Sequence, residues 1–158
     1  MNGRSKKLAN RLNSFNEELI SFVEHCTEDD WSRIGAEGWP LGVTARHIGA
    51  NHYPAVSGAQ MIINGQRLPE TRMEEITESA NRHAREHAEC TKSEVLEILR
   101  KHGAKLVEFI RELEDSELDK TGYLPALGRN LTVEQFMEAV ILHGGGEHFE
   151  SIKAAAGK

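Results

Sequence analysis

The segment ILHGGGEHFESI, residues 141–152, places His143, Glu147 and His148 around three consecutive glycines. Imidazoles and carboxylates are ligands for divalent transition metals, so this grouping is a candidate metal site. At about 100° per residue, His143 and Glu147 lie about 40° apart on a helix and can share an ion. His143 and His148 lie about 140° apart on a straight helix, and only a π-bulge would bring residues five apart onto one face. Glycines ease such a bulge and allow close approach of another group, at about 1 kcal/mol each relative to Ala. The competing reading is tight helix packing through the glycines, with His143 facing solvent.

The remaining histidines divide between candidate ligands and satisfied side chains. His47, in GWPLGVTARHIGANHY, shares a helical face with Val43 and Asn51 and points inward, either as a ligand or as a core histidine satisfied by one hydrogen bond. His83, Glu86, His87 and Cys90, in NRHAREHAEC, have tidy ligand spacing. That segment carries no apolar stripe, however, and reads as a solvated helix face. His102 falls on an apolar stripe and reads as a satisfied core histidine, while His52 has no local partner and no assigned role. The two cysteines, Cys26 and Cys90, show no CxxC pairing and read as reduced thiols.

Helices must position these groups. Leu8, Leu12, Phe15, Leu19 and Phe22 alternate by four and three over residues 5–26, the stripe of an amphipathic helix. CTEDDWSRIGAEGWPLG follows as a loop, and a second helix runs from about Val43 to Ile63 with a kink at Pro54. Residues 73–88 form a short polar helix. A third long helix opens on the capping-box pattern Thr91-Lys92-Ser93-Glu94 and carries Val95, Leu99, His102, Leu106, Phe109 and Leu113. Asp115 to Asn130 reads as a loop, and a second capping box, Thr132-Val133-Glu134-Gln135, opens a fourth helix to about Ala155. No β-alternation and no internal repeat is evident. The expected fold is an all-α four-helix bundle with a short extra helix between helices two and three, occupying residues 1–158 as one domain.

Composition narrows the function. Apolar residues make up 39% and charged residues 28% of the 158, a soluble balance with no membrane-spanning run and no signal-peptide core, so the expected compartment is cytoplasmic. The net charge of −6, without a basic stripe, disfavours nucleic acid as a partner.

GWPLGVTARHIGANH resembles the Trp-then-His motif that opens the second helix in the DinB-like superfamily, with Trp39 and His47 at the motif positions. CTEDDWSRIGAEGW is similar to the preceding loop in the branch that includes mycothiol-dependent maleylpyruvate isomerase. LTVEQFMEAVILHGGGEHFESIKAA resembles the family's closing helix, where HxxxH or ExxxH is followed by an Ile, and His148 and Ile152 fit the second ligand and that Ile. Position 144, where the other helix-four ligand belongs, holds Gly144. Three alternatives follow: a bulge brings His143 into register, His143 pairs with Glu147, or the third ligand is lost.

The resemblance implies a divalent transition metal, Zn or Ni, held by His47, His143 and His148. It also implies thiol S-transferase or isomerase chemistry through a metal-activated thiolate, with a low-molecular-weight thiol as co-substrate. A small-molecule substrate, a homodimer, and no nucleic-acid or membrane partner complete that expectation. The rival reading is a metal-free helical bundle that binds a small molecule or serves as an interaction module.

Overall fold

The computed structural model describes residues 1–157. Four long helical columns form the bundle. The first is α1, Gly3–His25, and the second runs from α3, Leu41–His47, through a π-helical segment, Ile48–His52, and a 3₁₀ turn, Tyr53–Ala55, into α4, Val56–Ile63. The third is α6, Lys92–Arg111, and the fourth joins α8, Val133–Met137, through a π-helical segment, Glu138–Gly145, to α9, Gly146–Ala155. The short α5, Met73–Glu86, lies between the second and third columns, as its polar pattern predicts, and fully buries none of its residues.

The apolar stripes meet in one core. Leu8, Leu12 and Leu19 of α1 pack with Leu99, Leu106 and Ile110 of α6, beside Ile48, Tyr53 and Ile62, and Ile141 and Ile152 close it from the fourth column. Phe149 stands edge-on to Phe15 at 5.7 Å between ring centroids, which anchors α9 to α1. One polar network crosses this core. The Tyr53 hydroxyl donates to Asn16 Oδ1 at 2.7 Å, and Asn16 Nδ2 donates to the Leu99 carbonyl at 3.1 Å. Three columns are thereby tied together around buried groups that would otherwise lack partners.

Capping explains most boundaries. Thr132 and Gln135 form the full reciprocal box that opens the fourth column. At Thr91 only half of the expected box forms: Thr91 Oγ1 accepts the Glu94 N–H at 3.1 Å, while the Glu94 carboxylate turns to Arg46 Nε at 3.6 Å. An ion pair with a neighbouring column thus replaces the local bond.

Two expected loops contain structure. Within residues 27–41, Thr27 and Asp30 form a capping box that starts the single turn α2, Glu28–Trp31. Within residues 115–130 lie the turn α7, Asp115–Leu118, and then a hairpin of β1, Thr121–Leu124, and β2, Arg129–Thr132. The hairpin corrects the expectation of no strand. Four-residue strands are too short to show alternation, and Gly128, at φ 66°, supplies the left-handed turn residue.

The kink expected at Pro54 is a change of helical register. Proline has no N–H to give to the helix ladder, so the column widens through Ile48–His52 and tightens again through Tyr53–Ala55.

Candidate metal centre

The π-helical turn of the second column puts residues five apart on one face, and this brings His47 and His52 together. His148, in the first turn of α9, meets them from the fourth column. One ligand atom from each of these three histidines lies within 4.8 Å of the other two. The rings stand edge to face: His47 is 4.9 Å from His52 and 4.9 Å from His148 between centroids, and His52 is 5.1 Å from His148. All three are partly buried.

Hydrogen bonds fix two of the tautomers. His52 Nδ1 lies 2.7 Å from the Val140 carbonyl oxygen, which can only accept, so Nδ1 carries the proton. His148 Nδ1 lies 2.7 Å from Glu37 Oε2, and Glu37 Oε1 accepts from Ser151 Oγ at 2.6 Å. In both rings the other nitrogen, Nε2, keeps its lone pair for a ligand. A carboxylate or carbonyl behind a ligating imidazole is the usual way such rings are oriented.

The electrostatics keep His47 and His52 neutral. Burial, reinforced by His52, His148 and His83, holds His47 down to about 3. Burial also lowers His52, against the Val140 hydrogen bond that raises it. Glu37 remains an anion: burial pushes it up, but the Ser151 and His148 hydrogen bonds together hold it below the ordinary range. Neutral imidazoles are the form a metal requires, so His47 and His52, with His148 oriented by Glu37, make a donor set that fits a divalent transition metal.

Trp39 covers the cluster, 5.0 Å from His47 and stacked 6.1 Å from His148, and its indole N–H donates to Asn81 of α5 at 3.0 Å. The loop before the second column therefore supplies both the lid ring and the Glu37 carboxylate.

Of the three ligands expected from the sequence, the structure brings His47 and His148 together and leaves His143 out. His143 is exposed and joins no ligand group among the described residues. The π-helical segment is present, but it ends at Gly145, and the last steps to His148 are α-helical. Position 144, four residues before His148, is therefore the one facing the site. A Cβ there would lie 3.1 Å from His52 Cε1 and 3.3 Å from His52 Nδ1. Gly144 thus leaves the room that the His52 ring fills. Glu147 is exposed as well.

His52 escaped the sequence reading because helical spacing of 3.6 separates it from His47. The signal was present as Pro54 two residues on, which forces a break in the ladder.

The other histidines fall elsewhere. His102 is partly buried, and its Nδ1–H donates to the Gly49 carbonyl at 2.8 Å, a satisfied histidine as expected. His83, Glu86 and His87 form a second group of potential ligands, without Cys90. Both cysteines are buried, and burial, with Glu94 nearby, raises the Cys90 thiol to about 11.

A helical bundle with inward-facing histidines converging from two columns is a frequent setting for metal sites. The DinB superfamily profile matches residues 11–149, and the chain belongs to that superfamily. No curated protein and no solved structure matches the chain.

Proposed function

We propose that this chain is a metal-dependent DinB-superfamily enzyme in which His47, His52 and His148 hold one divalent transition metal, Zn or Ni. Three convergent imidazoles, two of them oriented through Nδ1, carry the reading. Three protein ligands leave a coordination position for a reactant. A metal held there would lower the pKa of a bound thiol and furnish a thiolate nucleophile for transfer or isomerisation.

The chain's own part is positional. Val140 and Glu37 hold the His52 and His148 rings, burial keeps His47 neutral, and Trp39 shields the cluster from bulk water. Cys90 is buried with its thiol raised, which makes it a poor nucleophile, and the thiol in this reading is a low-molecular-weight co-substrate. The partners in this reading are small molecules, the thiol and an electrophile, acting on a homodimer. Gly144 would mark a lost ligand in the metal-free alternative, and room for His52 gives that glycine a different reason.

The test is metal content after purification without a histidine tag. The expected result is about one equivalent in the wild type and in His143→Ala, lost in His52→Ala and in His148→Ala. Stoichiometric metal surviving His52→Ala would overturn the ligand set. Metal-dependent consumption of one member of a panel of low-molecular-weight thiols would identify the co-substrate, and none consumed by metal-loaded protein would overturn the thiol chemistry.

A further inference from the structure

We infer that the last turn of α5 is a second transition-metal site, formed by His83 and His87 with Glu86 as the third donor. It shares no donor with the three-histidine cluster, although it adjoins His47, and it does not depend on the function proposed above.

Ligand atoms of His83, Glu86 and His87 lie within 4.8 Å of one another. The two rings are nearly parallel, 12° apart in plane and 6.5 Å between centroids, and Glu86 Oε2 is 3.8 Å from His83 Nδ1. Metal–nitrogen bonds of roughly 2.0–2.1 Å can bridge these donors after a small rotation of the rings about their side-chain bonds. The i,i+4 placement on a formed helix means that little ordering remains to be done when the ion arrives.

The position of these residues on α5 strengthens the case. The face of α5 turned toward the bundle is Ala80, His83, Ala84 and His87, and these line a cavity of about 10 Å³ together with Trp39 and His47. That volume accommodates about one water. A docking stripe normally carries aliphatic side chains, whereas this one alternates alanine with imidazole. The histidines are partly buried and Glu86 is exposed, so the group sits at a rim that an ion can reach from solvent.

The helix end also favours a cation. His87 caps α5, its backbone N–H donating to the His83 carbonyl at 3.0 Å, so the donors gather where the carbonyl end of the helix dipole is negative. Neutral imidazoles with one carboxylate suit Zn, Ni or Cu rather than Mg or Ca. All three donors come from one helix end and Glu86 is exposed, so this site is weaker and more exchangeable than the three-histidine cluster. An ion there would clamp the final turn of a helix that has no fully buried residue.

The experiment uses the full chain, free of tag and stripped of metal, titrated with Ni²⁺ alone while amide hydrogen exchange is followed. The expected result is a second, weaker equivalent in the wild type, accompanied by slower exchange of the amides of residues 85–88. His83→Ala/His87→Ala loses that equivalent and the protection but keeps the first. His148→Ala loses the first and keeps the second, so the two sites fail independently. A second equivalent unchanged in His83→Ala/His87→Ala, or no second equivalent in the wild type, would overturn the assignment. The double variant should fold, since neither side chain belongs to the core, and circular dichroism verifies this.

Discussion

Gly144 is where one hydrogen atom in place of a methyl group decides the site. A Cβ at 144 meets His52 Cε1 at 3.1 Å, His52 Nδ1 at 3.3 Å and the Ala139 carbonyl at 3.4 Å, while a Cβ at 146 meets nothing within 4 Å. Both positions are helical, so alanine gains roughly 1 kcal/mol of intrinsic propensity at either. Gly146→Ala should raise stability by about that amount and leave metal content unchanged. Gly144→Ala should return little of the gain, because the His52 ring must shift and strain its bond to Val140. Its metal affinity should fall. Equilibrium denaturation and metal titration of the two variants check this pair, and equal metal affinity in both would show that His52 has freedom the geometry denies it.

At the level of elements, the second column's register depends on Tyr53. Its hydroxyl and Asn16 Oδ1 are both buried, and the ring lies directly after the π-helical turn that aligns His47 with His52. Tyr53→Phe leaves the Asn16 oxygen without that donor, a loss of about 1–3 kcal/mol. The expected result is a lower unfolding midpoint by that amount, together with weaker metal binding as the turn relaxes. Unchanged stability would mean that Asn16 finds another donor. The long amphipathic stripes and the Thr132 box were legible in the sequence because each rests on contacts within a few residues. The approach of His52 to His47 was not, because a π-helical turn is stabilised by tertiary partners, here the Tyr53 network and His102 on the Gly49 carbonyl. The Glu94–Arg46 pair was hidden for the same reason, and the hairpin because its four-residue strands are too short to alternate. The resemblance pointed to His47 and His148, which the structure brings together, whereas His143 stays outside because the end point of the π-helical segment is set by packing.

For the whole molecule, the buried histidines couple stability to pH. In the unfolded chain a histidine titrates near 6.5, whereas in the folded, metal-free chain burial holds His47 to about 3 and lowers His52 too. Between those values the unfolded state binds more protons, so stability must fall as pH falls. The slope from His47 approaches about 1.4 kcal/mol per pH unit, and His52 adds to it. Stability is therefore complete above about pH 6.5 and declines on acidification toward pH 3. The lowered carboxylates act in the same direction, but only below their ordinary range: Glu37 and Asp115, where burial is the largest single effect and raises the carboxyl but the hydrogen bonds together outweigh it, and Asp119, lowered first by Arg4. The decline should thus begin near pH 6.5 rather than near 4.5. Urea unfolding of metal-stripped protein across this range measures it, and His47→Gln should flatten the arm between pH 6.5 and 4.5 while leaving the lower arm intact. Adding Zn²⁺ or Ni²⁺ at pH 7.5, at about a hundredfold excess over its dissociation constant, should add about 2.7 kcal/mol and raise the melting temperature by roughly 5–10 °C. That increment should vanish with a chelator and in His52→Ala. A midpoint flat between pH 7 and 5 in the metal-free protein would show that the histidines are solvated, and a solvated cluster would not need a metal to complete it.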